Sequence, residues 1–197
     1  MILLFCVICI IKFLLIIHMN HKKITVFCAA SSRVLPDYPK AAFELGRLLA
    51  ASGREIIFGA GNIGSMNALA DGALSVNGRV TGVIPEFMNI LDLTHQGIGK
   101  PVIVRTMHER EHIMMKEADA IIALPGGSGT FSELLQAITW KQLGLIICPI
   151  IIVNTLNYFS PMIEMLNKAV EEDFMRAEYR RLWSVCSSPP EAVGLLN

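Results

Sequence analysis

Two short stretches of this 197-residue chain combine residue types that can bind an anion and act on what is attached to it. The first is Pro125-Gly126-Gly127-Ser128-Gly129-Thr130-Phe131-Ser132-Glu133. Its glycines let backbone amides approach an anion closely, while Ser128, Thr130 and a helix amino terminus supply donors to a phosphate. A carboxylate one turn later, Glu133, is placed to activate water or to stabilise positive charge on a bound substrate. The same letters have a second meaning: Thr130-x-x-Glu133 is a capping box, in which Glu133 only reaches back to the Thr130 amide. The second stretch is Thr106-Met107-His108-Glu109-Arg110, at the entrance of another helix. Such a charged run is also what a solvated helix face looks like. Yet a cation in a first turn opposes the helix dipole, so Arg110 needs a counter-anion, either a protein carboxylate or a ligand phosphate. An arginine does not lose its proton, so Arg110 suits charge stabilisation and not general-base work.

Other chemistries are disfavoured by what is missing. The Lys-Ser/Thr pair of a P-loop does not follow the glycines at 126–129, which argues against ATP hydrolysis. Gly59-Ala60-Gly61-Asn62-Ile63-Gly64 fits G-x-G-x-x-G, but the next strand, Val80-Thr81-Gly82-Val83-Ile84, ends without the acidic residue that holds a dinucleotide ribose. These glycines therefore suit a mononucleotide or a structural role. His108 and His112 have metal-ligand spacing without a third ligand, and no metal or cofactor is expected. His95 reads as a supporting hydrogen-bond donor or a surface residue.

The elements that must carry these residues are legible in the hydropathy pattern. Near-continuous apolar runs at Ile24–Cys28, Glu55–Phe58, Val80–Ile84, Val102–Val104, Ala120–Leu124 and Ile150–Val153, with Trp183–Cys186 as a seventh, read as strands buried on both faces. Helices are expected at Pro39–Ala51, Gly64–Val76, Met107–Ala118, Thr130–Leu143 and Phe159–Glu171, stopped by Gly53, Asn77-Gly78 and Gly144. This alternation predicts an α/β fold, a modified Rossmann-like, mostly parallel sheet of about seven strands with helices on both faces. Ligands of such sheets sit beyond the carboxyl ends of the strands, so Ser31 and Ser32 after the first strand and Gly61 after the second join the candidates.

Composition narrows the partners. A net charge of 0 and a pI near 7.0 give no footprint for nucleic acid. Residues 2–17 are apolar except for Lys12. This leader lacks the basic start and cleavage site of a signal peptide and is short for a membrane span of ~20 residues. Met19, before Asn20-His21-Lys22-Lys23 and a strand, is where a cytosolic Rossmann-type protein would begin. We expect a misassigned start for residues 1–18, with a membrane anchor as the alternative, and one domain over residues 19–197. Cys28, Cys148 and Cys186 suggest a reducing compartment, and Cys6-x-x-Cys9 has redox spacing without a partner pair.

Together the motifs resemble the LOG family, the cytokinin riboside 5′-monophosphate phosphoribohydrolases, often mislabelled lysine decarboxylases. The likeness rests on TMHER (106–110) and PGGSGTFSE (125–133), which stand where the family has MHERK and PGGxGTxxE. VFCAASS (26–32), GAGNIGSMNALADGAL (59–74), VTGVIPEF (80–87) and ITWKQLG (138–144) extend it. It implies a homodimer that releases free base and ribose 5-phosphate from a nucleotide, with Arg110 and Glu133 catalytic and Gly126, Gly127, Ser128, Gly129 and Thr130 around the phosphate; the expectation of a cytosolic protein comes instead from the Met19 start and the cysteines. The resemblance also implies site positions for Thr139 and Asp92. Two departures stand out: Glu111 replaces the family lysine, and Ala60 interrupts the family's GGG. The chemistry fits the residue types, since an oxocarbenium-like ribose calls for a carboxylate and a leaving purine for a donor. A lysine decarboxylase would need a pyridoxal-binding lysine, for which no candidate stands out. A non-catalytic nucleotide sensor or cofactor carrier on the same fold is the alternative, because fold alone does not choose.

Overall fold

In the computed structural model, residues 22–89 and 93–196 are described. The apolar leader, Cys6-x-x-Cys9, Met19 and Asp92 lie outside the described residues. Seven strands form one sheet: β1 (Lys23–Phe27), β2 (Glu55–Phe58), β3 (Val80–Pro85), β4 (Val102–Val104), β5 (Ala120–Ala123), β6 (Ile150–Val153) and β7 (Ser184–Cys186). The order is β4-β3-β2-β1-β5-β6-β7, and every neighbouring pair is parallel, so the sheet is wholly and not mostly parallel.

The helices are α1 (Asp37–Ala51), α2 (Gly64–Leu74), the short α3 (Glu86–Asn89), α4 (Met107–Lys116), α5 (Ser128–Gln142), α6 (Ser160–Glu171) and α7 (Pro189–Gly194). The expected helix ends hold: Gly53, Asn77 and Gly144 all take left-handed backbone angles, which a continuing helix cannot. The short α3 and α7 were not apparent in the apolar pattern, being too brief to show a period.

Strand periodicity sorts the core into two layers. Ile24, Val26 and Cys28 face one cluster with Leu45 and Leu49 of α1, Leu69 of α2 and Ala192 of α7. Phe27, Ile57 and Ile121 face the other, with Met114 of α4, Leu134 and Ile138 of α5 and Leu166 of α6. On the first face, α1 and α2 meet backbone to backbone: a Cβ on Gly46 would stand 2.1 Å from the Leu69 carbonyl oxygen, and one on Gly72 would stand 2.0 Å from that of Phe43. Among the described residues no helix is long and apolar enough to cross a membrane.

For function, the decisive feature is the strand order. Winding runs outward from β1 through β2 in one direction and from β5 through β6 in the other, so the chain reverses between β1 and β5. At such a switch point the connecting loops diverge and leave a crevice at the carboxyl ends of the strands.

Candidate active site

The crevice lies where this topology puts it. A cavity of about 240 Å³ is lined by Ala29 and Ser31 after β1 and by Pro125, Gly126 and Gly127 after β5, with Tyr38, Ser65 and Tyr158 completing the wall. Helix α5 starts here with Gly127 as its N-cap, and Gly127, Ser128 and Gly129 are exposed. First-turn amides have no carbonyl upstream within the helix, so Ser128, Gly129 and Thr130 present donors at the positive end of the dipole. Gly126 must be glycine for Thr130 to turn inward: a Cβ there would meet Thr130 Oγ1 at 2.1 Å.

The start of α5 at Ser128 excludes the capping box. Thr130 stands inside the helix and not at its N-cap, and Glu133 lies in the second turn, too far along to reach back. Its carboxylate goes elsewhere, accepting from Arg110 Nη1 at 2.9 Å through Oε1. A capping arrangement does exist at the other motif, where the Glu109 amide donates to Thr106 Oγ1 at 3.1 Å and Glu109 Oε2 accepts from the Arg105 amide at 2.8 Å.

Arg110 and Glu133 are each only 5% exposed, and they form an ion pair between α4 and α5 across the end of the sheet. Thus the counter-anion that the first-turn arginine needs is a protein carboxylate. Arg110 is fixed at a second point, Nε donating to the Val83 carbonyl of β3 at 3.1 Å. Its Nη2 sits over Gly59, where a Cβ would be 2.1 Å away, so Gly59 is the seat of the guanidinium. Burial raises the Glu133 carboxyl above its ordinary pKa of 4.5, with Glu111 adding to the rise and Arg110 opposing it. Cys28, buried at the end of β1, has its thiol pushed up by burial and feels the charges of both Glu133 and Arg110.

Arg110 also lines a second cavity, of about 190 Å³, with Gly59, Gly61, Ile63, Met66, Ile84 and Leu93 among its walls. Its floor is pinned by Gly61, which pairs with Thr94, and by the His95 amide donating to the Ala60 carbonyl at 2.9 Å. Ala60 adopts φ 64, the left-handed region that favours glycine, so the departure from GGG leaves an alanine where the backbone costs roughly 1–2 kcal/mol. His95 is buried, its Nε2 3.1 Å from Asp71 Oδ1 and its Nδ1 accepting from the Gly97 amide at 3.0 Å. It braces this loop.

The remaining candidates are scattered more widely. Ser32 is exposed and lines neither cavity. Thr139 is also exposed, its hydroxyl donating to the Leu135 carbonyl at 2.9 Å, and within one chain it touches neither cavity. Sequence reasoning missed Tyr38 and Tyr158, which belong to no motif, while Gly59 and Ser65 fall within the stretch 59–74 after β2 without having been singled out as site residues. Among the described residues no group of three or more His, Cys, Asp or Glu side chains is placed to hold a metal. A larger cavity of about 450 Å³, lined by Asp119, Cys148 and Pro149 among others, opens at the other end of the sheet and contains none of the candidates.

The fold and its crevice define a Rossmann-type α/β protein with a glycine loop and a buried arginine–glutamate pair at the switch point. Solved structures of the same architecture include the molybdenum cofactor carrier protein of Chlamydomonas reinhardtii (TM-score 0.69, 20% identity, 90% of this chain and 96% of that one). The molybdenum cofactor binding protein of Rippkaea orientalis is comparable (TM-score 0.68, 22% identity, 90% and 96%). At that identity the likeness concerns the fold. Sequence goes further: a family model described as "Possible lysine decarboxylase" matches residues 66–196. The cytokinin riboside 5′-monophosphate phosphoribohydrolase LOG2 of Arabidopsis thaliana is 35% identical, over 89% of this chain and 83% of its own length. LOG7 of the same plant is 38% identical over 85% and 76%. The chain belongs to this LOG family.

Proposed function

We propose that the chain hydrolyses the N-glycosidic bond of a purine nucleoside 5′-monophosphate, AMP or an N6-modified AMP, to free base and ribose 5-phosphate. The observation that carries this reading is the buried Arg110–Glu133 pair, held one turn beyond a helix amino terminus that offers free amides to a phosphate. In the proposed step the C1′–N bond breaks with its electron pair going to the base, and a water oxygen bonds to C1′. Glu133 steadies the oxocarbenium-like sugar and takes one proton of the attacking water, and the cationic Arg110 offsets the charge that develops on the departing base. That base picks up a proton from solvent to leave neutral, and Glu133 returns its own to solvent. A carboxyl raised by burial is a stronger base than an exposed one, which suits this role.

The test is the phosphate. The glycine loop is the one dense array of anion donors among the described candidates, so the 5′-phosphate supplies the binding energy that fixes the sugar carbon against the carboxylate. Adenosine should show kcat/KM at least roughly 100-fold below AMP, since two or more hydrogen bonds to a charged group are lost. Adenine release measured by chromatography decides this, and equal specificity constants for the two would remove the phosphate from the glycine loop. A carrier on the same fold is the second reading, prompted by the carrier proteins among the fold's neighbours. A carrier has no need of a glutamate buried against an arginine, and adenine release from AMP excludes it.

We further propose a cytosolic homodimer. Met107 of α4, Leu135 of α5 and Leu143 just past its end leave exposed apolar surface beside the site that a second copy would cover. Light scattering at micromolar concentration should give about twice the chain mass of 21.7 kDa; a monomer would refute the dimer.

A further inference from the structure

Tyr158 belongs to neither motif, yet it is built into the anion loop. Its hydroxyl donates to the Gly126 carbonyl at 2.6 Å, and it lines the same crevice as Gly126 and Gly127. The ring is held by other rings: edge-on to Tyr38 at 5.7 Å and to Phe159 at 5.4 Å, and stacked with Phe131 of α5 at 6.2 Å. The backbone that presents it is unusual. Leu156 and Asn157 take φ 53 and 59, successive left-handed residues without a glycine between them. Asn154, at the end of β6, closes this turn by accepting the Phe159 amide at 2.6 Å through Oδ1 and the Asn157 amide at 3.0 Å through its own carbonyl.

What the contact does follows from the planarity of the peptide. The Gly126 carbonyl and the Gly127 amide belong to one rigid unit and point in opposite directions, so holding the first fixes the second. Gly126 and Gly127 have no side chains to hold that plane, and glycine is the residue least able to keep one conformation unaided. The phenol also occupies a carbonyl lone pair at the rim of a crevice meant for an anion, where a bare carbonyl dipole would repel it.

We propose that Tyr158 is a positioning residue for the phosphate: through its hydroxyl it sets the Gly126–Gly127 peptide and so keeps the glycine loop shaped for the anion before substrate arrives. This deepens the hydrolase assignment and rests on its placement of the phosphate. Preorganisation of this kind shows in affinity for the anion, and in the discrimination between phosphorylated and bare substrates.

The experiment compares the wild-type protein with Tyr158→Phe, which keeps the ring contacts and deletes only the hydroxyl. Calorimetric titration with inorganic phosphate and with ribose 5-phosphate should show about tenfold weaker binding, the size of one lost hydrogen bond. The fall in kcat/KM for AMP should exceed that for adenosine at least fivefold, with melting temperature shifted by only a few degrees. A purely structural role would lower the melting temperature and reduce both substrates in proportion. Equal phosphate affinity in variant and wild type overturns the proposal, as does a wild-type protein that binds neither probe. If phosphate binding weakens as expected but neither protein releases base from AMP, the positioning role stands and the hydrolase assignment falls. If both cleave AMP with equal constants, the reverse holds.

Discussion

Glu133→Gln should lower the turnover of AMP roughly 1,000-fold while the protein remains folded, the size of effect expected when a positioned acid–base group is removed. Glutamine fills the same space and keeps an oxygen to accept from Arg110 Nη1, so the geometry of the pair survives. What is lost is the negative charge. Replacing a charged acceptor by a neutral one should cost about 1–3 kcal/mol of stability, visible as a modest fall in melting temperature. Since Glu133 caps no helix, any larger loss would have to come from the unpaired Arg110 cation. The pH profile provides a second check. The working form is the carboxylate, so activity should fall as pH drops through its pKa, and burial places that acid limb above 4.5. Glu111→Lys, which restores the family's residue, replaces a neighbouring negative charge that raises this pKa and should move the limb to lower pH. A Glu133→Gln enzyme with near-normal turnover would end the catalytic assignment.

Arg110→Met should be as damaging to catalysis and far more damaging to the fold. Removing the cation strands Glu133, 5% exposed, without its partner. Breaking a buried pair in this way typically costs about 3–5 kcal/mol. The sign of its pH dependence follows from the carboxyl. Arg110 is what opposes the rise in the Glu133 pKa, so without it the folded-state value climbs further above the unfolded one. A group whose pKa is raised on folding contributes stability at low pH that is lost as pH rises through the folded value. The melting temperature of Arg110→Met should therefore approach that of wild type on acidification and diverge from it toward neutral pH. Adding Glu133→Gln to Arg110→Met should recover much of the stability and none of the activity. Denaturation of the single and double variants across pH checks this; a double variant no more stable than Arg110→Met at neutral pH would show that the pair is not the source of the loss.

Much of the architecture is carried by local pattern. Strands buried on both faces by helices must be apolar at nearly every position, and runs such as Ile150–Val153 say so without reference to anything distant. Helix ends at Gly53 and Gly144 are equally local, because left-handed backbone at one residue is enough to stop a helix. The glycine loop and the need of Arg110 for a counter-anion belong to the same category: glycine density, strand-to-helix placement and a cation in the wrong part of a dipole are properties of neighbouring residues.

The capping box shows where locality ends. Thr130-x-x-Glu133 has the right spacing, and only the position at which α5 begins, Ser128 instead of Thr130, separates a cap from a partner for Arg110. That two-residue difference turns Glu133 away from the helix end and toward Arg110, twenty-three positions earlier in the chain. Tyr158 was invisible for the same reason, and at Gly59 the glycine motif was legible but not what it seats. Their roles are defined by what lies across space, a guanidinium over Gly59 and the Gly126 carbonyl beneath Tyr158.

The sequence by itself therefore determined the α/β class, the order of the strands and the five longer helices along the chain, the glycine loop and the two charged residues at issue. Each follows from interactions within a few residues: periodicity, turn conformation and helix polarity. Only the tertiary structure decided that β1 and β5 lie side by side, that Arg110 and Glu133 neutralise one another in a buried pair, and that Tyr158 holds the loop. Those contacts join residues far apart in the chain, and their energies come from exclusion of water and low local dielectric, which exist only once the layers have packed.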